Sequence, residues 1–157
     1  MIQIVVPLRF LAYGGDVRWH EQGMRFSWRV MVREKNGSTM FVVRSKDTGR
    51  IWHVSPRTYL TRLQEREMSS QPDLILQLAH RIRDDFARQG RGPVEVRADT
   101  VVSLNGRPGA ALVDPEIDLA SIEDGIRPAS WILPRPATTP IRLRPIGRAR
   151  PRAHVNL

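Results

Sequence analysis

Between Val94 and Leu104 apolar side chains fall on every second residue, and Asn105-Gly106 follows at once. Val94, Val96, Ala98, Val102 and Leu104 share one face, with the polar Thr100 among them. Glu95, Arg97, Asp99, Val101 and Ser103 make up the other face. A period of two is what a strand with one buried and one wet face requires. Asn-Gly reaches positive φ at small cost, so a tight hairpin is expected there, with Ala110 to Val113 returning as its partner. Asp114-Pro115 should stop that partner. Such a hairpin is not stable alone in water, so the other elements must cover its apolar face.

The same alternation recurs upstream. Phe26, Trp28, Val30 and Val32 are interleaved with Ser27, Arg29, Met31 and Arg33. Asn36-Gly37 reads as a second hairpin turn, with Thr39 to Arg44 returning. Asp47-Thr48-Gly49 turns once more into Ile51 to Val54, which makes residues 26–54 a three-stranded meander. Ser55-Pro56 then changes the period, since Ser caps a helix start and Pro fits its first turn. Ser69 to Asp73 interrupts that helix and starts another. Leu74, Ile75, Leu78, Ala79, Ile82 and Phe86 form an apolar stripe at helical spacing, so a helix over 73–89 is expected to cover the sheet. Gly90 and Gly92-Pro93 end it. Ile117 to Ile122 reads as a helical turn capped by Asp114 or Asp118, and Trp131 to Pro134 as an apolar clip. The expected fold is α+β, a mainly antiparallel sheet or sandwich of five to six strands under one long helix.

At 157 residues the chain is one domain with two ends. Met1 to Ala12 is apolar but short of the roughly 20 residues that a bilayer span needs, and it carries Arg9. It reads as a buried strand, an interfacial segment, or the outgoing end of a membrane helix. The division expected is 1–13 for that segment, 14–134 for the domain and 135–157 for a disordered Arg/Pro tail. The net charge of +9 follows this division, because the tail holds six Arg and no acid, leaving +3 for the body. A body at +3 is ordinary for a soluble domain. There is no cysteine, which excludes disulfides and thiolate metal sites.

Self-contained catalytic signatures are missing: no P-loop, no dinucleotide fingerprint, no Gly-x-Ser-x-Gly, no His-Glu-x-x-His. His20, His53, His80 and His154 lack metal-ligand spacing. Asp114 and Asp118 could share acid and base duties in a small hydrolase. The plainer reading makes them a strand stop and a helix cap. Arg107, on a Pro-Gly loop, could hold an anion. Among the tryptophans, Trp28 reads as core, whereas Trp19 and Trp131 lie outside regular elements and suit an interface. The Arg-rich tail offers an alternative function as a basic module for anionic membrane or nucleic acid. Nucleic acid is disfavoured because the tail has no aromatic residue to stack on bases.

Several short motifs occur together in order: Trp19-x-x-x-Gly23, Arg25 to Met31, Trp52-x-Val54-x-Pro56, Pro72-Asp73, Ser103-Leu104-Asn105-Gly106-Arg107, Asp114-Pro115-x-x-Asp118-Leu119 and Trp131 to Pro134. The series resembles the C-terminal extramembrane domain of bacterial relatives of the vitamin K-dependent gamma-carboxylase, the horizontally transferred transmembrane family. The resemblance spans about Val5 to Pro134. It implies a domain on the lumenal or periplasmic side of a helix bundle, which would be its partner together with a peptide or protein substrate. It places the catalytic lysine and the pocket for reduced vitamin K, or a related quinone, in membrane helices that this chain lacks. No catalytic, cofactor-binding or metal-binding residue is therefore carried over, and a truncated or excised domain is implied. The interaction candidates are Trp19, Trp28, Arg29, Asn105, Arg107, Asp114 and Trp131. An exposed sheet edge could hold an extended peptide by strand addition.

Overall fold

The computed structural model describes residues 6–24, 27, 34–125 and 128–141. Its centre is a three-stranded antiparallel sheet in the order β2-β1-β3. The strands are β1 (Lys35–Ser45), β2 (Ile51–Val54) and β3 (Val94–Leu104). β1 and β3 pair along their whole length, from Lys35↔Leu104 to Ser45↔Val94. The alternation in β3 resolves as expected: Val94, Val96, Ala98, Thr100, Val102 and Leu104 are buried, and the residues between them are not. β1 answers with Thr39, Phe41, Val43 and Ser45 on the same face.

The helices are α1 (Val17–His20), α2 (Arg62–Met68) and α3 (Pro72–Arg88). Thr61 and Gln64 form a reciprocal capping box at the start of α2. At the end of α3 Gly90 takes φ 69, its N–H bonds Ala87 O, and Arg91 N–H reaches back to Phe86 O at 3.1 Å. That pair of bonds is a Schellman stop, which only a residue tolerant of left-handed φ closes cheaply. Ile75, Leu78, Ala79, Ile82 and Phe86 of α3 are buried in one cluster with Phe41, Val43, Val96 and Val102. Leu112, Val113, Leu119 and Trp131 complete the cluster.

The α+β class holds, but five or six strands under a single covering helix are not found among the described residues. Three strands occur among the described residues, and several helical pieces share the cover. Asn36-Gly37 is no hairpin turn: both residues lie inside β1, opposite Ser103 and Val102. Gly37 is there for room, because a Cβ would run into the Ser69 carbonyl. Nearby, Thr39 Oγ1 donates to that same carbonyl at 3.4 Å. Asn105-Gly106 does turn, with φ 51 and 69, yet the return is one bridge, Val102↔Ala110. Two residues later the backbone leaves the ladder. Thr100 Oγ1 accepts from Leu112 N–H at 3.0 Å and Val113 N–H at 3.1 Å, so a side chain satisfies groups that a fourth strand would have bonded. Residues 112–114 pair instead with 131–133, through Asp114 N–H to Trp131 O and Leu133 N–H to Leu112 O. The strand expected over Phe26–Val32 lies outside the described residues, Ser27 apart.

Candidate functional site

Three pieces of chain leave a groove of about 970 Å³ between them: residues from Arg9 to Gly23, the first turn of α3, and the segments 122–125 and 128–132. Pro72, Leu76 and Trp131 give it a buried apolar side. Arg9, Glu21, Asp73, Glu123 and Asp124 supply charge. The volume lies at the upper end of what small-ligand clefts show.

Local sequence chemistry fixes the N-terminal wall. Asp16 caps α1 by accepting from Arg18 N–H at 3.1 Å. The helix ends after four residues because Glu21 turns left-handed at φ 58. Gly23, at φ 73, lets residues 10–13 close down, since a Cβ would stand 2.8 Å from Phe10 Cα and from the Tyr13 ring. His20 is clamped at both ring nitrogens: Nδ1 accepts from Gln22 N–H at 3.1 Å, which leaves Nε2 to donate to Gly14 O at 3.0 Å. Burial lowers its pKa from the ordinary 6.5, outweighing the opposite pull of the Gly14 carbonyl and Asp16. The imidazole is thus neutral and structurally committed. Lys35 reaches in from β1 with its side chain only 3% exposed, donating to Glu21 Oε1 at 2.9 Å and Trp19 O at 2.6 Å. Among the described residues no three His, Cys, Asp or Glu side chains are grouped to hold a metal ion.

Among the described residues, those singled out from sequence do not converge. Trp19 is 2% exposed, and its indole N–H donates to Leu133 O at 2.8 Å. Trp131 is 7% exposed and touches the groove from the core side. Both belong to the buried core cluster. Asp114 Oδ1 accepts from Glu116 N–H at 2.9 Å. Asp118 Oδ1 accepts from Val96 N–H at 2.9 Å and Ala120 N–H at 3.0 Å, while Oδ2 takes Lys46 Nζ at 3.0 Å. Each carboxylate thus has its own backbone task, as a turn former and a cap. Asn105 clamps the other end of the sheet, its Oδ1 accepting from Glu34 N–H at 3.0 Å. Arg107 donates through Nε to Thr138 O at 3.0 Å. Trp28 and Arg29 lie outside the described residues. Sequence reasoning missed Lys35 and Glu21, whose pairing depends on a turn placing them together.

Against this geometry, the family model for the vitamin K-dependent gamma-carboxylase lumenal domain matches residues 1–138. The chain belongs to that family. No curated protein and no solved structure gave a match. The lumenal-domain match takes in the apolar opening segment, all three pieces of chain around the groove and all seven interaction candidates. A lumenal-domain family points to an extracytoplasmic setting. Among the described residues no helix is long and apolar enough to cross a membrane.

Proposed function

We propose that this lumenal domain is a non-catalytic accessory of a carboxylase-like membrane protein, packing on its helix bundle and holding an extended peptide or protein substrate. The family match over residues 1–138 carries the reading. The described geometry supports the division of labour. A base strong enough to form a carbanion must be shielded from water, and the groove here is rimmed by exposed Glu123, Asp124 and Gly125. That rim does not fit a lipophilic quinone, so the reduced vitamin K or related quinone of the family belongs with membrane helices rather than with these residues. Two polar groups of the N-terminal wall work as structural bonds: His20, in the groove lining, and Lys35, which holds Glu21 from behind it, are both spent on holding the wall. Two measurements test the proposal. The purified chain, given a hydroquinone, oxygen, labelled carbon dioxide and a glutamyl peptide, should incorporate no label; incorporation would refute the accessory role. Co-expressed with a carboxylase-like helix bundle, the chain should co-purify in mild detergent, and its absence from that fraction would refute the packing.

A further inference from the structure

The outer edge of β2 carries an unassigned arrangement of backbone and cations. Ser45 N–H donates to Arg50 O at 2.9 Å, and Trp52 and Val54 stand opposite Val43 and Phe41. Even-numbered residues of this stretch therefore turn their backbone groups toward β1, and the odd ones, Ile51 and His53, turn theirs away. Among the described residues no backbone group pairs with those outward N–H and C=O groups. On the inner side of the edge, the Arg50 guanidinium lies 5.2 Å from the Trp52 ring centroid and that of Arg91 5.6 Å from it. Arg91 also sits 4.8 Å from Phe86, which meets Trp52 edge-on at 5.2 Å and 77°. The Schellman stop at Gly90 is what delivers Arg91 to this place. Both arginines are exposed, and neither has an ion-pair partner among the described residues. A cation–π contact leaves guanidinium N–H donors unspent. On the other face of the same edge, Ile51 is 54% exposed.

We propose that an extended peptide adds to the outer edge of β2 as a further strand, its alternate side chains being carboxylates held by Arg50 and Arg91. The intervening side chains lie beside Ile51 and are apolar. The proposal deepens the peptide-holding role and rests on it. The pleat sends successive side chains to opposite faces, so the acid/apolar alternation follows from the face that holds Arg50 and Arg91 at the edge; Arg44, the register partner of Ile51 on the other face, lies one strand further in. A second copy of this chain is a poor occupant, because two-fold pairing of β2 edges would set like charges against each other. Nucleic acid is poorer still, since Trp52 already has cations over its ring and offers no free face for a base.

The test uses the whole chain and a fluorescein-labelled heptapeptide of alternating Glu and Val, read by anisotropy. Saturable binding that weakens with salt is expected. A block peptide of the same composition, and an alternating Lys/Val peptide, should each bind about tenfold more weakly or worse. Arg50→Gln with Arg91→Gln, at an unchanged melting temperature, should lose a similar factor. N-methylation of every second peptide amide should abolish binding in one phase and spare it in the other, because one phase alone faces the Ile51 and His53 groups. Equal binding of both methylated phases would overturn strand addition at this edge. Binding of the Lys/Val peptide equal to that of the Glu/Val peptide would overturn the carboxylate assignment while leaving the peptide-holding role standing. If no extended peptide of any composition binds, both fail. Concentration-dependent self-association abolished by Ile51→Asp would instead identify a second copy as the occupant and overturn the proposal.

Discussion

At the scale of single residues, the polar atom in the middle of an apolar face decides how the chain continues. Thr100 is 1% exposed and serves two backbone donors, Leu112 N–H and Val113 N–H. Thr100→Val keeps the shape and removes the acceptor, leaving buried N–H groups that cost about 1–3 kcal/mol each when unsatisfied. Chemical denaturation should show a loss of roughly 2 kcal/mol or more. Thr100→Ser keeps the hydroxyl and gives up a methyl, a loss of about 1 kcal/mol. The order Val worse than Ser is the measurement that matters. His20 makes a prediction of opposite character. Its pKa is lowered in the folded chain, so below the ordinary 6.5 the unfolded chain binds a proton that the folded one refuses. Stability is unaffected well above that pH and falls as pH drops below it, down to the folded pKa. In His20→Gln the difference in melting temperature between pH 7.5 and pH 5.5, values chosen about one unit either side of the ordinary pKa, should shrink. An unchanged difference would mean that another group governs that limb.

At the scale of elements, glycines mark where the chain departs from what its sequence suggests. Asn36-Gly37 and Asn105-Gly106 are the same dipeptide, yet one sits mid-strand and the other turns. Asn-Gly signals permission, either for positive φ or for close approach, and the sequence does not say which is used. The choice is made by the Ser69 backbone crossing over Gly37. Gly37→Ala therefore creates a clash with main chain and should cost about 1–3 kcal/mol through overpacking. Gly90→Ala meets nothing within 4 Å and suffers only from its φ of 69. Its loss should be about 1 kcal/mol, without the local rearrangement around α2 that Gly37→Ala causes. Amide shifts of residues 66–70 separate the two cases. The alternation of β3 and the caps at Ser55 and Asp118 were legible, because burial on one face and a free N–H at a helix start are local demands. Trp19 and Trp131 were not. Their burial depends on segments more than a hundred residues apart, as the bond from Trp19 to Leu133 shows.

At the scale of the whole molecule, the two ends of the domain are tied to each other. Arg135 Nε meets Asp16 Oδ2 at 2.7 Å, Arg107 holds Thr138, and Ile141 N–H donates to Gly106 O at 2.9 Å. Residues 135–141, the start of the segment expected as a tail, thus bond to the domain at Asp16, Arg107 and Gly106. Asp16→Asn keeps an oxygen for the α1 cap while removing the charge. A double-mutant cycle of Asp16→Asn with Arg135→Gln should return a coupling of about 0.5–1 kcal/mol that shrinks in high salt. The seam between β1 and β3 has a similar reach. Lys35 must wait for Leu104, and Trp19 for Leu133, before either finds its place. A polypeptide emerging from its N-terminus, at a ribosome or a translocation pore, would carry an open, apolar half-sheet until β3 had arrived. Shortening it at the far end should therefore release the near end as well, and protease sensitivity around Asp16 would report a cut made beyond Trp131.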